Sequence, residues 1–251
     1  MNTLPMIINS HNEKLDTLIE GSEKSEITIV MVHGLGTDKH ETAGQFDDLA
    51  QAFIKKYRIV RFDFSGFGKS EGKTENFDYH KHASDLNFIL SYVRQNFNGK
   101  IYIIAQSMGT FITSLLNPED IDKTVFINIP NSNTSYIIDR LVARFASRPG
   151  SYIDLQGISL ISRSSGSMQK FGPQFWKTLT EFNPVSSVTE FAKNTNLLII
   201  HARQDDAVGN KFQEEYDAIP NIKTEWIDGD HSFKKPKDRS VLIERIKRFF
   251  A

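Results

Sequence analysis

The chain predicts an α/β fold with a mostly parallel central sheet and helices on both faces. Three observations carry this. β-branched apolar runs alternate with amphipathic helical stretches along the sequence. Two of the runs, residues 27–32 and 101–104, are apolar almost throughout, as strands buried in a sheet are. Side chains able to do chemistry fall just beyond the ends of the runs, where open parallel sheets build their sites.

Taken in order, residues 6–8 and 15–19 flank Asn12-Glu13-Lys14 and predict an opening antiparallel hairpin. Residues 27–32 form the next strand, ending at His33-Gly34. Residues 46–55 have helical spacing through Phe46, Leu49, Ala50 and Phe53. Residues 58–62 are a strand that ends in Asp63-Phe64-Ser65-Gly66-Phe67-Gly68. Residues 79–97 predict a long helix with Leu86, Ile89, Leu90 and Val93 on one face, stopped by Asn98-Gly99. The strand at 101–104, a helix at 110–116 and a strand at 124–129 follow. Residues 197–201 and 223–227 are the last strands, and 241–250 close the chain as a helix.

Residues 130–188 break this rhythm. They are rich in Ser, Gly and Asn, yet carry Phe145, Tyr152, Phe171, Phe175 and Trp176. A structureless loop of that length does not suit a compact domain. We read a single domain over residues 1–251 with a lid inserted at 130–188. A helix is expected near 136–145, a hairpin across 152–161 and a helix near 173–179. Phe175 and Trp176 are expected to line a substrate pocket.

Composition removes several classes of function. Among 251 residues there is no cysteine, so disulfides, thiolate catalysis and Cys-ligated zinc are ruled out. A net charge of −1 gives no pull toward nucleic acid. No apolar run approaches the ~20 residues of a membrane span, and residues 1–10 lack the pattern of a secretory signal. A cytoplasmic protein is expected.

The most informative segment is Ala105-Gln106-Ser107-Met108-Gly109. Small-x-Ser-x-small between a strand and a helix describes a nucleophile elbow, a turn that lifts the serine hydroxyl into a cleft. A serine hydroxyl also needs a histidine base, a carboxylate to hold that histidine's tautomer, and donors for an oxyanion. His231 follows the last strand and is the only histidine after residue 201. Asp205 and its neighbour Asp206 follow the strand before it. His33-Gly34-Leu35-Gly36 can aim the Leu35 N–H beside Ser107, and Met108 N–H at the start of the helix is a second donor.

The competing structural readings are specific. Ser107 alone reads as a helix N-cap, but the strand before it and the partners downstream favour a nucleophile. His33 reads as a loop-fixing group, His201 as structural and Asp63 as a turn-maker. His80 and His82, two apart on a helix, do not face each other and make no metal site. Gly66-Phe67-Gly68-Lys69-Ser70 lacks the upstream glycine of a phosphate loop. Lys234, Lys235 and Lys237 read as solvated surface.

The whole chain resembles the α/β-hydrolase superfamily, in the order Ser107…Asp205…His231 and in its loops. Asp63 to Ser70 resembles the family's D-x-x-G-x-G-x-S loop. Arg203-Gln204-Asp205 with Val208 resembles its G-x-x-D-x-x-V acid loop, with Ala202 in place of Gly, and this selects Asp205 over Asp206. The run from Phe62 to Gly72 and the Tyr152-Ile153-Asp154 segment are similar to small bacterial esterases of the cinnamoyl/feruloyl esterase and monoacylglycerol-lipase-like groups. The resemblance implies an α/β-hydrolase fold and a serine esterase. Ser107, His231 and Asp205 would form the triad, and the N–H groups of Leu35 and Met108 the oxyanion hole. It implies a small-molecule ester of a small or medium acyl group, with no cofactor and no metal. A thioesterase, an amidase or peptidase, a carbon–carbon bond hydrolase, and a ligand-binding receptor on the same fold stay open, as does monomer against dimer. Dehalogenase and epoxide hydrolase chemistry is disfavoured, because those relatives carry an aspartate at the position of Ser107.

Overall fold

The structure is a computed structural model that describes residues 6–163 and 166–251. Its centre is an eight-stranded sheet. In chain order the strands are Met6–Ile8 (β1), Lys14–Gly21 (β2), Ile27–Val32 (β3), Arg58–Phe62 (β4), Lys100–Gln106 (β5) and Lys123–Ile127 (β6), then Asn196–Ala202 (β9) and Ile222–Ile227 (β10). Between β6 and β9 the short strands Ser159–Ser162 (β7) and Met168–Phe171 (β8) form a separate antiparallel pair. The sheet order is β1-β2-β4-β3-β5-β6-β9-β10. The opening hairpin is antiparallel, with Met6 opposite Asp16, and β2 meets β4 antiparallel. Every later pairing is parallel.

The apolar runs are buried because both faces of the sheet are covered. Along β3, Val30 and Val32 enter one core, and Ile29 and Met31 the other. Along β5, Ile101, Ile103 and Ala105 point to the first core, Tyr102 and Ile104 to the second. The period-two alternation of a strand thus sorts one apolar run into two layers. Helices Tyr79–Asn96 (α2) and Met108–Leu116 (α3) cover the first face. Gln45–Phe53 (α1) and Pro236–Phe250 (α8) cover the second. Each fully buried Leu, Ile or Phe in these layers contributes roughly 1.5–3 kcal/mol.

The segment between β6 and β9 holds helices Thr134–Ala146 (α4), Pro173–Glu181 (α5) and Pro184–Phe191 (α6) around the β7–β8 pair. The hairpin expected across 152–161 is displaced. Asp154 Oδ1 accepts the N–H groups of Gln156 and Gly157, both at 2.9 Å, and curls the chain there. Tyr152 therefore makes only a single bridge with Leu160, and the ladder runs from β7 to β8 instead. Helix α6 was not anticipated. Its signal is Asn183-Pro184, an N-cap whose side chain accepts Ser186 N–H at 3.0 Å, followed by a proline in the first turn. Beyond β9, Glu214–Asp217 (α7) is a short helical turn.

This segment is seated by a column of rings. Phe175 on α5 meets Phe77 at 5.1 Å, Phe77 stacks on His82 at 4.2 Å, and His82 stacks on Phe64 at 4.3 Å. All four rings are fully buried.

Candidate active site

Ser107 joins β5 to α3 with φ 52° and ψ −125°, a region that non-glycine residues avoid. Holding it there costs roughly 1–3 kcal/mol. Local bonds impose it: Ser107 N–H donates to Ile127 O at 2.9 Å, and Thr110 donates to Ser107 O through N–H at 2.9 Å and Oγ1 at 2.6 Å. The small residue two places on has a steric reason. A Cβ on Gly109 would lie 2.4 Å from Val32 O and 2.7 Å from His33 O, so only glycine lets α3 approach β3 this closely.

His231 Nδ1 lies 2.7 Å from Asp205 Oδ2. The other carboxylate oxygen of Asp205 accepts Ala207 N–H at 2.8 Å and Val208 N–H at 3.0 Å. Burial alone would raise the Asp205 carboxyl. The His231 ring and the two N–H groups outweigh it and hold the carboxyl below its ordinary value. An ionised carboxylate only accepts, so Nδ1 of His231 carries the hydrogen and Nε2 is left to accept one. Asp206 is exposed, and its contact with α4 runs through its backbone carbonyl, which accepts from Arg140.

The loop after β3 is fixed from two sides. His33 Nε2 accepts Phe64 N–H at 3.0 Å, so its Nδ1 carries the hydrogen and donates to Gly34 O at 2.9 Å. Glu41 Oε1 accepts Gly34 N–H, and Thr37 Oγ1 donates to the same oxygen at 3.0 Å. Among the described residues, the N–H groups of Leu35 and Met108 donate to no protein acceptor.

Ser107, His231, Leu35 and Met108 share one cavity of about 190 Å³. Its other wall is α4, which presents Ile137, Leu141 and Phe145 beside Arg140 and Arg144, with Arg148 just beyond the helix end. The five helical residues recur three and four apart, so they form one face of α4. Among the described residues no group of three His, Asp or Glu side chains is placed to hold a metal. No described helix is long and apolar enough to cross a membrane.

A family model for the alpha/beta hydrolase fold matches residues 27–177, more than half of the chain. The chain is an alpha/beta hydrolase. Solved structures share the fold at low identity. Est1E of Butyrivibrio proteoclasticus, with ferulic acid bound, is 19% identical with a TM-score of 0.76, covering 98% of both chains. The Pyrococcus furiosus esterase Pf2001 is 20% identical with a TM-score of 0.72, covering 100% of this chain and 92% of the other. The esterase domain of a Rhodothermus marinus protein is 17% identical with a TM-score of 0.72, covering 99% and 97%.

Two expectations about this hydrolase need correction. Phe175 and Trp176 do not line the cavity. Phe175 is spent on the ring column, also meeting Phe171 at 5.1 Å and Trp176 at 4.8 Å. Trp176 is buried, and its indole N–H donates to Ser159 Oγ at 3.2 Å. Apolar burial wins over display to substrate, because α5 is the helix that docks the segment on the body. Phe145 is the aromatic of this segment that faces the cavity.

Sequence reasoning also missed three polar groups behind the site. Gln106 Nε2 and Asn128 Nδ2 both donate to His231 O, at 2.8 and 2.9 Å. Asn128 Oδ1 accepts Ala202 N–H at 2.7 Å, so one amide links β6, the acid loop and the histidine loop. Glu41 is the third. The available signal for the first two was a polar residue ending an apolar strand, where burial demands a partner. His201 is buried and stacked on Trp226 at 4.5 Å, and burial pushes its imidazole down to about 4.

Proposed function

We propose that this alpha/beta hydrolase is a serine esterase that cleaves a small-molecule carboxylic ester of small or medium acyl group. The observation that carries the reading is Asp205 bonded to His231 Nδ1, with His231 Nε2 left free in the cavity that also holds Ser107. In this reading Ser107 Oγ attacks the ester carbonyl while His231 Nε2 takes its proton. Asp205 stabilises the imidazolium, and the N–H groups of Leu35 and Met108 receive the oxyanion. The alcohol leaves with the proton from His231. Water then attacks the acyl-enzyme by the same route, returning Ser107 and releasing the acid. The fixed tautomer, the strained elbow and the two free N–H donors each support this sequence. Hydroxycinnamoyl esters belong in the first substrate panel, since Est1E holds ferulic acid. The cytoplasm is the compartment we propose, checked by fractionating cells that express the protein.

The test is covalent. A fluorophosphonate should label one residue, and Ser107→Ala should lose labelling and about 10⁴–10⁶ in kcat on a short acyl ester. Labelling that survives in Ser107→Ala would remove Ser107 from the role.

A further inference from the structure

The cavity wall opposite Ser107 is cationic in a way that the rest of the chain is not. Arg144 stands in the last turn of α4, Arg148 follows just beyond its end, and Arg163 lines the same cavity from the end of β7. Elsewhere two buried arginines find carboxylates, Arg61 with Glu20 at 2.6 Å and Arg239 with Asp48 at 2.6 Å, and buried Arg58 is taken by Ser25 O, Glu23 O and Thr28 Oγ1. Among the described residues, Arg144, Arg148 and Arg163 have no carboxylate within 4.0 Å. Among the same residues, the Arg148 side chain donates only to Ser162 O at 3.3 Å and lies over the Phe145 ring at 5.2 Å, the Arg163 side chain donates only to Gly36 O, and the Arg144 side chain bonds no protein acceptor. Burial, then the charges of Arg148 and Arg144, push the Arg163 guanidinium down to about 10.

The acidic groups of the same cavity are engaged elsewhere or lie in solvent. Glu41 serves Gly34, Thr37 and Thr42. Asp230 accepts the N–H groups of Ser232 and Lys234. Asp206 is exposed and beyond ion-pair distance of all three arginines. Arg140 is different, because its guanidinium is taken by the carbonyls of Ala207 and Asp206 and braces the acid loop. Three like charges held together without a counter-charge are unfavourable unless an anion joins them.

We infer that Arg144, Arg148 and Arg163 form an anion subsite, so that the substrate is an ester carrying a carboxylate, sulfonate or phosphate away from the reacting carbonyl. This rests on the serine esterase reading and names its substrate class. The subsite adjoins the oxyanion loop through Arg163 on Gly36 O, which places the anionic group and the ester carbonyl in one ligand. A guanidinium bonded to an anion forms strong, often bidentate contacts.

The experiment compares matched esters. On the acyl arm, 4-nitrophenyl glutarate is set against 4-nitrophenyl valerate. On the alcohol arm, 4-sulfophenyl butyrate and 4-carboxyphenyl butyrate are set against phenyl butyrate. Each rate is normalised to the spontaneous hydrolysis of the same ester. The anionic member of at least one arm should have kcat/KM about tenfold higher, a preference that salt erodes. Arg144→Gln should cut that preference about threefold, and Arg144→Gln with Arg148→Gln should abolish it. The arm that responds tells whether acid or alcohol bears the charge. A ratio near one in both arms, unmoved by the variants, overturns the subsite while leaving the esterase intact. Should no ester be turned over, the esterase reading falls, and titration of the Ser107→Ala protein with 4-sulfophenyl butyrate and phenyl butyrate still decides the subsite. Tighter binding of the sulfonate, lost in Arg144→Gln, supports it; equal affinity overturns it. Arg144 is exposed with no side-chain bond to the protein, so Arg144→Gln keeps its fold, which circular dichroism verifies.

Discussion

The two walls of the cavity are built differently. The wall that carries Ser107 and His231 stands on the ends of β3, β5, β6, β9 and β10, and its polar side chains are bonded to backbone. Asp205, Gln106, Asn128, Glu41 and His33 all bond the backbone of a neighbouring loop or strand end. On the opposite wall Arg140 is also taken by backbone carbonyls, but among the described residues the Arg144 side chain on α4 makes no bond and Arg148, just beyond α4, is held by a single carbonyl. Saturated hydrogen bonding fixes geometry, which proton transfer demands. Unsaturated donors are free to meet a ligand. In the proposed reading, chemistry and selection within one cavity rest on separate pieces of the chain.

The largest effect that tests this division is at the acid. Asp205→Asn keeps the contact to His231 but favours the wrong tautomer, and should lower kcat by about 10⁴ with folding retained. Asp206→Asn, one residue on, should change kcat less than about threefold, since its exposed carboxylate holds no site residue. Single-turnover rates of the two variants decide it. If Asp206→Asn is the crippled one, the bonded wall is not where the acid acts.

Next in size is the seat of the inserted segment. Phe175→Ala should destabilise by about 3–5 kcal/mol in urea, as loss of a fully buried ring does, and should depress activity on all esters alike. Phe145→Ala should instead change the ranking of acyl sizes. Equal behaviour of the two variants would erase the distinction between docking rings and cavity rings.

Acid should lower the stability of the fold through buried His201. His201 titrates at about 4 when folded, against roughly 6.5 when unfolded. Below that unfolded value the unfolded chain binds a proton that the folded chain refuses. Stability should thus fall by roughly 3 kcal/mol between about pH 6.5 and 4. His201→Leu should flatten this slope, read by urea unfolding at several pH values. An unchanged slope would assign the acid sensitivity to other groups.

The smallest effect is on the loop after β3. Glu41→Gln keeps an oxygen for Gly34 N–H and should lower kcat only about threefold, whereas Glu41→Ala should lower it about tenfold. Comparing kcat with KM shows whether the oxyanion loop or substrate binding has moved.

Part of the bonded wall was legible in the sequence for a local reason, while its Gln106, Asn128 and Glu41 were not. Ser107, His33, Asp205 and His231 each follow a strand within a few residues, so strand period and turn residues suffice to place them. The alternation of apolar runs with helices predicted a mostly parallel sheet, but not the order of its strands. The α4 wall was less legible, although Arg140, Arg144 and Arg148 stand four apart. Which face of α4 turns inward is set by packing from α5 and β7, which no local pattern encodes. The same applies to Phe175 and Trp176. An aromatic in a polar stretch reads equally as pocket or anchor, and only the ring column decides.

That column has a kinetic consequence. Swinging the segment between β6 and β9 away as a flap would pull Phe175 off Phe77 and expose rings worth roughly 1.5–3 kcal/mol each. Concerted hinge motion of this kind belongs to microseconds or longer, whereas rotamer changes of partly exposed side chains take nanoseconds. With α5 pinned, the moving parts at the mouth are the side chains of Leu141, Arg144 and Arg148. Ligand traffic through such a mouth is limited by side-chain hops and not by breathing of the fold. Dissociation of product should then track the length and charge of those three side chains and stay indifferent to solvent viscosity.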